Sequence, residues 1–242
     1  MILGIIDRGW FGLVPLQAHL VICGFPRSGT TLLQLMAETA YPRARSFGRE
    51  RSGLGAAQRH LPGRWPLIIS KRPDDIFWVD EIREMYRARG TRTRPRFVVC
   101  VRDPRAVLTS IHNNEPGQYY VSVERWRAIY DHYRYVRTFD DIVVVEYGDL
   151  VLDLPKVQQD LEAATGLKPD RPFADYHNAV PGRFDVGALN GVRPLDPANL
   201  HKWKEPRHRA RIQQLLRELP ELPDRLIEMG YEPDAQWVAG YV

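Results

Sequence analysis

A short glycine-containing segment, Gly24-Phe25-Pro26-Arg27-Ser28-Gly29-Thr30-Thr31, follows the apolar run His19-Leu20-Val21-Ile22-Cys23 and opens the amphipathic run Leu32-Leu33-Gln34-Leu35-Met36-Ala37. Strand, tight loop and helix start, in that order, aim backbone N–H groups and a helix N-terminus at one point, which makes an anion site. The spacing of Gly24 and Gly29 is that of a phosphate-binding P-loop, but Thr30 stands where nucleotide-hydrolysing loops carry lysine. The expected chemistry is phosphate binding rather than ordinary triphosphate hydrolysis. Arg27 is the cation inside the loop, and Ser28, Gly29, Thr30 and Thr31 are its further candidate donors.

A second set of residues, Val101-Arg102-Asp103-Pro104-Arg105 with Ser110, reads as a strand end running into a helix, because proline suits a first helical turn. Ser110 is expected two turns into that helix. Arg102 by its planar fork and Ser110 by its hydroxyl could grip one phosphate. Taken alone, an Arg-Asp-Pro turn is more often a structural ion pair at a helix start.

These residues need elements to hold them. Four apolar runs, 19–24, 66–70, 96–101 and 142–147, have the length and content of buried parallel strands. Helical patterns lie between and after them at 30–39, 74–89, 104–113, 121–139 and 154–165. Alternating strand and helix predicts a P-loop-like α/β fold in three α/β/α layers, with a central parallel sheet of four to five strands. Ligands in such folds sit beyond the carboxyl ends of the strands, where the Arg27 loop, Lys71, Arg102 and Tyr147 should converge. Two stretches, 41–65 (rich in Arg and Gly) and 173–199 (rich in Pro, Gly and Asn), are too long for plain connectors and read as functional loops or lids.

The 242 residues suit one domain over the whole chain. A formal charge of +4, scattered rather than blocked, fits a basic pocket for an anionic small molecule, and no zinc finger, RNP motif or basic-aromatic repeat points to nucleic acid. The two cysteines, Cys23 and Cys100, end apolar runs and read as buried reduced thiols. Residues 1–18 are apolar in patches but broken by Asp7 and Arg8, so no transmembrane segment or leader is expected there. The expected setting is the cytoplasm, for a protein acting on a small molecule or glycan, alone or as a homodimer.

Together the two phosphate motifs resemble the sulfotransferases that use 3′-phosphoadenosine 5′-phosphosulfate (PAPS). In that family a P-[RK]-S-G-T-T loop holds the 5′-phosphosulfate, and an R-[DN]-P-R-x-x-x-x-S segment holds the 3′-phosphate. The likeness is greatest to the protein-tyrosine sulfotransferase branch and its bacterial relatives. Tyr41-Pro42 with Gly48-Arg49-Glu50 is similar to that branch's H-P…G-E-E stretch, which implies Glu50 as catalytic base. Ser70-Lys71-Arg72-Pro73 resembles its N-K-D-P segment, which implies that Lys71 aids transfer. Glu146-Tyr147-Gly148-Asp149-Leu150 resembles Y-E-D-L, whose tyrosine touches the nucleotide, here Tyr147. Leu200-His201-Lys202-Trp203 resembles L-S-K-W, whose lysine reaches the nucleotide phosphate, here Lys202, with Trp203 anchoring the loop. Arg49, Ser52 and Gly148 depart from the branch pattern and point away from a protein-tyrosine acceptor.

The resemblance implies in-line sulfuryl transfer (EC 2.8.2 class) from PAPS to a hydroxyl or amine of a carbohydrate, glycolipid or natural product. Arg27 and Lys71 would stabilise charge on the leaving oxygen. No metal ion is expected, since a sulfuryl group carries less charge than a γ-phosphoryl group and no carboxylate cage is apparent. For the base, His112, His60 and Asp75 stand as alternatives to Glu50. Two other classes fit the loop alone: a P-loop kinase or nucleotide hydrolase, and a non-catalytic nucleotide-binding module.

Overall fold

Four parallel strands form one sheet in the order β2-β1-β3-β4: β1 Ala18–Gly24, β2 Leu67–Lys71, β3 Arg94–Val101 and β4 Ile142–Glu146. The structure is a computed structural model that describes residues 9–58, 64–112, 115, 117–189 and 191–241. Every residue of β1 and of β2 is buried, because helices cover both faces of the sheet. Continuous apolar runs, rather than alternation, are what such two-sided burial demands.

Helices α1 (Thr30–Ala40), α2 (Gly53–Gln58), α3 (Val79–Ala88), α4 (Pro104–Leu108), α5 (Val123–Val136), α6 (Tyr147–Leu152), α7 (Leu154–Thr165), α8 (Arg209–Glu218) and α9 (Leu222–Glu228) flank it. On one face Phe97 and Val99 pack with Trp126, Ile129 and Tyr130 of α5 and with Ile212, Leu215 and Leu226 of α8 and α9. On the other, Leu20, Ile22 and Val98 pack with Leu33 and Met36 of α1, Leu161 of α7 and Phe173. No helix among the described residues is long and apolar enough to cross a membrane.

Register places the chemistry. Ile22 lies beside Lys71, Gly24 beside Cys100, and Val101 beside Glu146, so all four strands end at one edge of the sheet. Gly24 has φ 113°, and a Cβ there would sit 2.5 Å from the Cys100 carbonyl oxygen. Only glycine lets β1 close against β3 where the phosphate loop begins.

Several expected elements change at their ends. The 74–89 pattern divides into a 3-10 turn, Pro73–Trp78, and α3, because Asp75 is drawn into the core to accept from the Gly53 N–H at 2.6 Å. The helix expected over 104–113 stops at Leu108: the Thr109 hydroxyl donates back to the Arg105 carbonyl, and Ile111 then bridges to Tyr119. Ser110 therefore sits just past α4 and not two turns inside a helix. β4 ends at Glu146, and Tyr147 is the first residue of α6. The 173–199 stretch holds three 3-10 turns, Phe173–His177, Val186–Leu189 and Pro197–Leu200.

Candidate active site

The phosphate loop turns between β1 and α1. Gly29 precedes α1 at φ 89° and, lacking a side chain, leaves the first-turn N–H groups of the helix uncapped. Such a helix start attracts an anion through both its free donors and its dipole. Arg27 has φ 66°, a left-handed conformation that is uncommon for a non-glycine residue and characteristic of functional loops. The Ser28 hydroxyl is buried and donates to the Phe25 carbonyl and, at 3.0 Å, to the Cys100 carbonyl, so it braces the loop from below.

The loop after β1 and the segment after β3 meet. Arg27 Nε donates to Ser110 Oγ at 2.8 Å, and its guanidinium lies 5.5 Å from the Tyr120 ring centre. Arg102 donates to the Arg27 carbonyl at 3.0 Å and to the Asn199 carbonyl at 2.7 Å, with its guanidinium 4.1 Å from the Tyr147 ring centre. Its Nε is buried without an acceptor. Burial, with Arg27 nearby, draws the Arg102 guanidinium below its ordinary pKa, although arginine stays charged. The structural ion pair anticipated for this turn does exist, but on the next arginine. Asp103 caps α4 by accepting from the Arg105 N–H at 2.8 Å, and the buried Arg105 guanidinium pairs with Asp103 and Glu232. Among the described residues Arg102 thus hydrogen-bonds to backbone carbonyls and pairs with no carboxylate.

A cavity of about 440 Å³ opens over the loop. Arg27, Gly29, Thr30, Thr31, Arg102, Glu50 and Lys71 line it, together with residues of the 173–199 stretch. Lys71, the last residue of β2, has a side chain only 6% exposed, and its Nζ lies 3.7 Å from Oε2 of the half-exposed Glu50. Burial pulls the Lys71 ammonium below its usual pKa, and Glu50 opposes that pull. Arg51 pairs its backbone N–H with the Lys71 carbonyl at 2.9 Å, which fixes Glu50 next to β2.

The other expected residues fall elsewhere. Asp75 is fully buried beneath the site and accepts from the Gly53 N–H and from Arg72 Nε; burial pushes its carboxyl up to about 6. His112 stacks on Tyr120 with ring centres 5.1 Å apart and is not itself among the cavity-lining residues. His60 lies outside the described residues. Lys202 is exposed and lies outside the cavity lining. Trp203 is buried under the Arg105 guanidinium at 3.8 Å and lines a second cavity of about 410 Å³, which shares Arg102 and Tyr147 with the first. Trp126 is simply core, stacked on Tyr130 at 5.1 Å.

Two contributors carried no sequence signal of their own. Tyr120 reaches the cavity and lies against Arg27 because its N–H donates to the Ser110 carbonyl at 2.8 Å. Asn199 contributes a backbone carbonyl, which no side-chain pattern reveals.

This architecture, a parallel sheet whose first strand turns at a glycine-flanked loop into an uncapped helix start, is of the P-loop-like α/β class. More narrowly, it is the sulfotransferase-domain fold. The chain is similar to the sulfotransferase domain of the Synechococcus PCC 7002 olefin synthase, with TM-score 0.56 and 20% identity over 79% of this chain and 89% of that one. It is also similar to the sulfotransferase domain from the curacin biosynthetic pathway, with TM-score 0.51 and 15% identity over 79% and 91% of the two chains. Neither likeness singles out the protein-tyrosine branch. No protein-family model and no curated protein sequence matches the chain.

Proposed function

We propose that this chain is a single-domain sulfotransferase that moves a sulfuryl group from PAPS to a hydroxyl or amine of a carbohydrate, glycolipid or natural product. The observation that carries the reading is Arg102: a half-buried arginine with an orphan Nε and no carboxylate partner, joined through Arg27 to the phosphate loop. The residues fit a nucleotide that is phosphorylated at both ends. The uncapped start of α1, with Thr30 and Thr31, suits the 5′-phosphate, and Arg102 and Ser110 suit the 3′-phosphate. Tyr147, stacked on Arg102, would bound the nucleoside, and Lys202 would add a cation from the turn after Asn199. The two solved relatives come from biosynthetic systems, which supports a natural-product or glycan acceptor. A cytoplasmic setting belongs to the same reading and agrees with the two buried free thiols.

When bound, PAPS supplies the sulfuryl group and a phosphate leaving group. Glu50 accepts the proton of the acceptor hydroxyl at its carboxylate. Lys71 and Arg27 offset the negative charge that develops on the leaving oxygen, as preorganised donors do in other group transfers. The buried Lys71 ammonium is held charged by Glu50, so one contact serves both tasks. Asp75 positions rather than reacts, since its oxygens are taken by Gly53 and Arg72.

The test is transfer of label from sulfur-labelled PAPS to a panel of hydroxylated glycans and small molecules. Labelled acceptor is the expected product. Turnover of ATP with magnesium, and none of PAPS, would replace this reading with that of a kinase or nucleotide hydrolase.

A further inference from the structure

Outside β2 the chain makes an irregular extra edge. Arg45 N–H donates to the Leu67 carbonyl at 2.8 Å, Ile69 N–H to the Arg45 carbonyl at 2.8 Å, and Arg51 N–H to the Lys71 carbonyl at 2.9 Å. This pairing sets a row of side chains along the outer edge of β2, outside the cavity and starting next to Glu50, which lines it. The Arg51 guanidinium lies 5.5 Å from the Phe47 ring centre, and Arg45 lies 5.7 Å from that ring and 4.8 Å from Trp65. Arg64 lies 5.5 Å from Trp65 on its own account. Cation and ring alternate: Arg51, Phe47, Arg45, Trp65, Arg64.

Among the described residues no carboxylate pairs with these three arginines, although nearby Arg43 pairs with Asp170 at 3.0 Å and Lys71 with Glu50 at 3.7 Å. Arg51 Nε is buried without an acceptor. Rings cover guanidinium faces and leave N–H edges open, and those edges form the fork that matches carboxylate and sulfate oxygens. Unpaired like charges in a row repel one another, so the row is relieved by an anion that spans it.

We infer that this row is a docking track for the acceptor, and that the acceptor is an acidic oligosaccharide bearing uronate or sulfate groups. The inference rests on the proposed role of Glu50, which is adjacent to Arg51 at the inner end of the track. The acceptor hydroxyl meets Glu50, and the anionic groups of the following sugars meet Arg51, Arg45 and Arg64 in turn. A peptide is disfavoured because residues 45–51 already occupy the β2 edge at which an extended peptide would add as a strand.

The full chain is titrated with a sulfated, uronate-containing hexasaccharide and with a neutral glucose hexasaccharide at rising salt, beside Arg45→Gln and the exposed Arg64→Gln. The charged sugar is expected to bind, more weakly at high salt, and each substitution to weaken it about tenfold, the worth of one charge-assisted contact. Equal binding of the neutral sugar, or undiminished binding by both variants with unchanged melting, overturns the track. An acidic peptide that binds as tightly as the charged sugar, with the same losses in both variants, also overturns the assignment. Titration with 3′-phosphoadenosine 5′-phosphate (PAP) runs in parallel. PAP binding without sugar binding removes the track alone, whereas variant-sensitive sugar binding without PAP binding upholds the track and removes the PAPS reading.

Discussion

Arg27 Nε donates to Ser110 Oγ at 2.8 Å across 83 positions of sequence. This contact ties the loop after β1 to the segment after β3, so the orientation of the Arg27 side chain depends on Ser110. Ser110→Ala removes the acceptor that orients Arg27. A hydrogen bond to a charged group contributes about 1.5–3 kcal/mol, so PAP affinity and turnover should both fall by roughly tenfold or more. Calorimetry and initial rates on the same preparation check this. Loss of turnover with full PAP affinity would assign Ser110 elsewhere.

Arg102→Ala should weaken PAP by a similar or larger factor and leave adenosine 5′-phosphosulfate, which lacks the 3′-phosphate, nearly unaffected. Its carbonyl partners, on Arg27 and Asn199, are surface-linked and can turn to water. Parallel titrations of the two nucleotides decide it, since an equal loss for both would detach Arg102 from the 3′-phosphate.

Glu50→Gln keeps the shape of the cavity wall but cannot accept a proton. Turnover should drop by about a hundredfold to ten-thousandfold, the usual range for a general base, with PAP affinity retained. Lys71 loses its 3.7 Å partner in this variant, so a burial-lowered ammonium should titrate still lower. Unchanged turnover would move the base to another group.

Asp75 gives a pH signature. Burial raises its carboxyl from 3.8 to about 6, so the folded state holds its proton more tightly than the unfolded chain does. The sign is therefore fixed: this group favours folding below its unfolded value, and that contribution is lost as pH rises through about 6. At neutral pH the deficit is of order 3 kcal/mol, at 1.36 kcal/mol per unit. Urea unfolding near pH 4 and near pH 7 should show a smaller pH difference in Asp75→Asn than in the parent. Equal pH differences in the two proteins would contradict the buried-carboxylate account.

Gly24→Ala should be severely destabilising. Its φ of 113° and a Cβ 2.5 Å from the Cys100 carbonyl leave no relaxed position for a methyl group. Strain of this kind costs roughly 1–3 kcal/mol before the clash is counted. Thermal melting of the purified variant is the check, and a melting temperature equal to the parent's would show that β1 and β3 can separate here.

The sheet was legible because two-sided burial writes itself as unbroken runs such as Leu20-Val21-Ile22-Cys23 and Phe97-Val98-Val99-Cys100. The loop between β1 and α1 was legible because that glycine spacing between a strand and a helix has few other uses, whereas the Arg-Asp-Pro turn alone did not separate Arg102 from the ion pair that Arg105 makes. What escaped was decided by long-range partners. Ser110 left its helix because the Thr109 hydroxyl and the Ile111–Tyr119 bridge ended α4 early. Tyr120 entered the site through one backbone hydrogen bond to Ser110, and Asn199 through its carbonyl, neither of which is encoded in a side-chain pattern. Helix α8, rich in Arg and Gln, is fixed by Ile212 and Leu215 docking on the core, and the short α9 by Leu222 and Leu226.

The account turns on a site for a nucleotide phosphorylated at its 3′ position. Calorimetric titration of the intact chain with PAP, beside ADP and beside ATP with magnesium, addresses it most directly. Tight binding of PAP, with ADP and ATP weaker by tenfold or more (about 1.4 kcal/mol), is the predicted result. Preference for ATP with magnesium, or equal affinity for PAP and ADP, would contradict it.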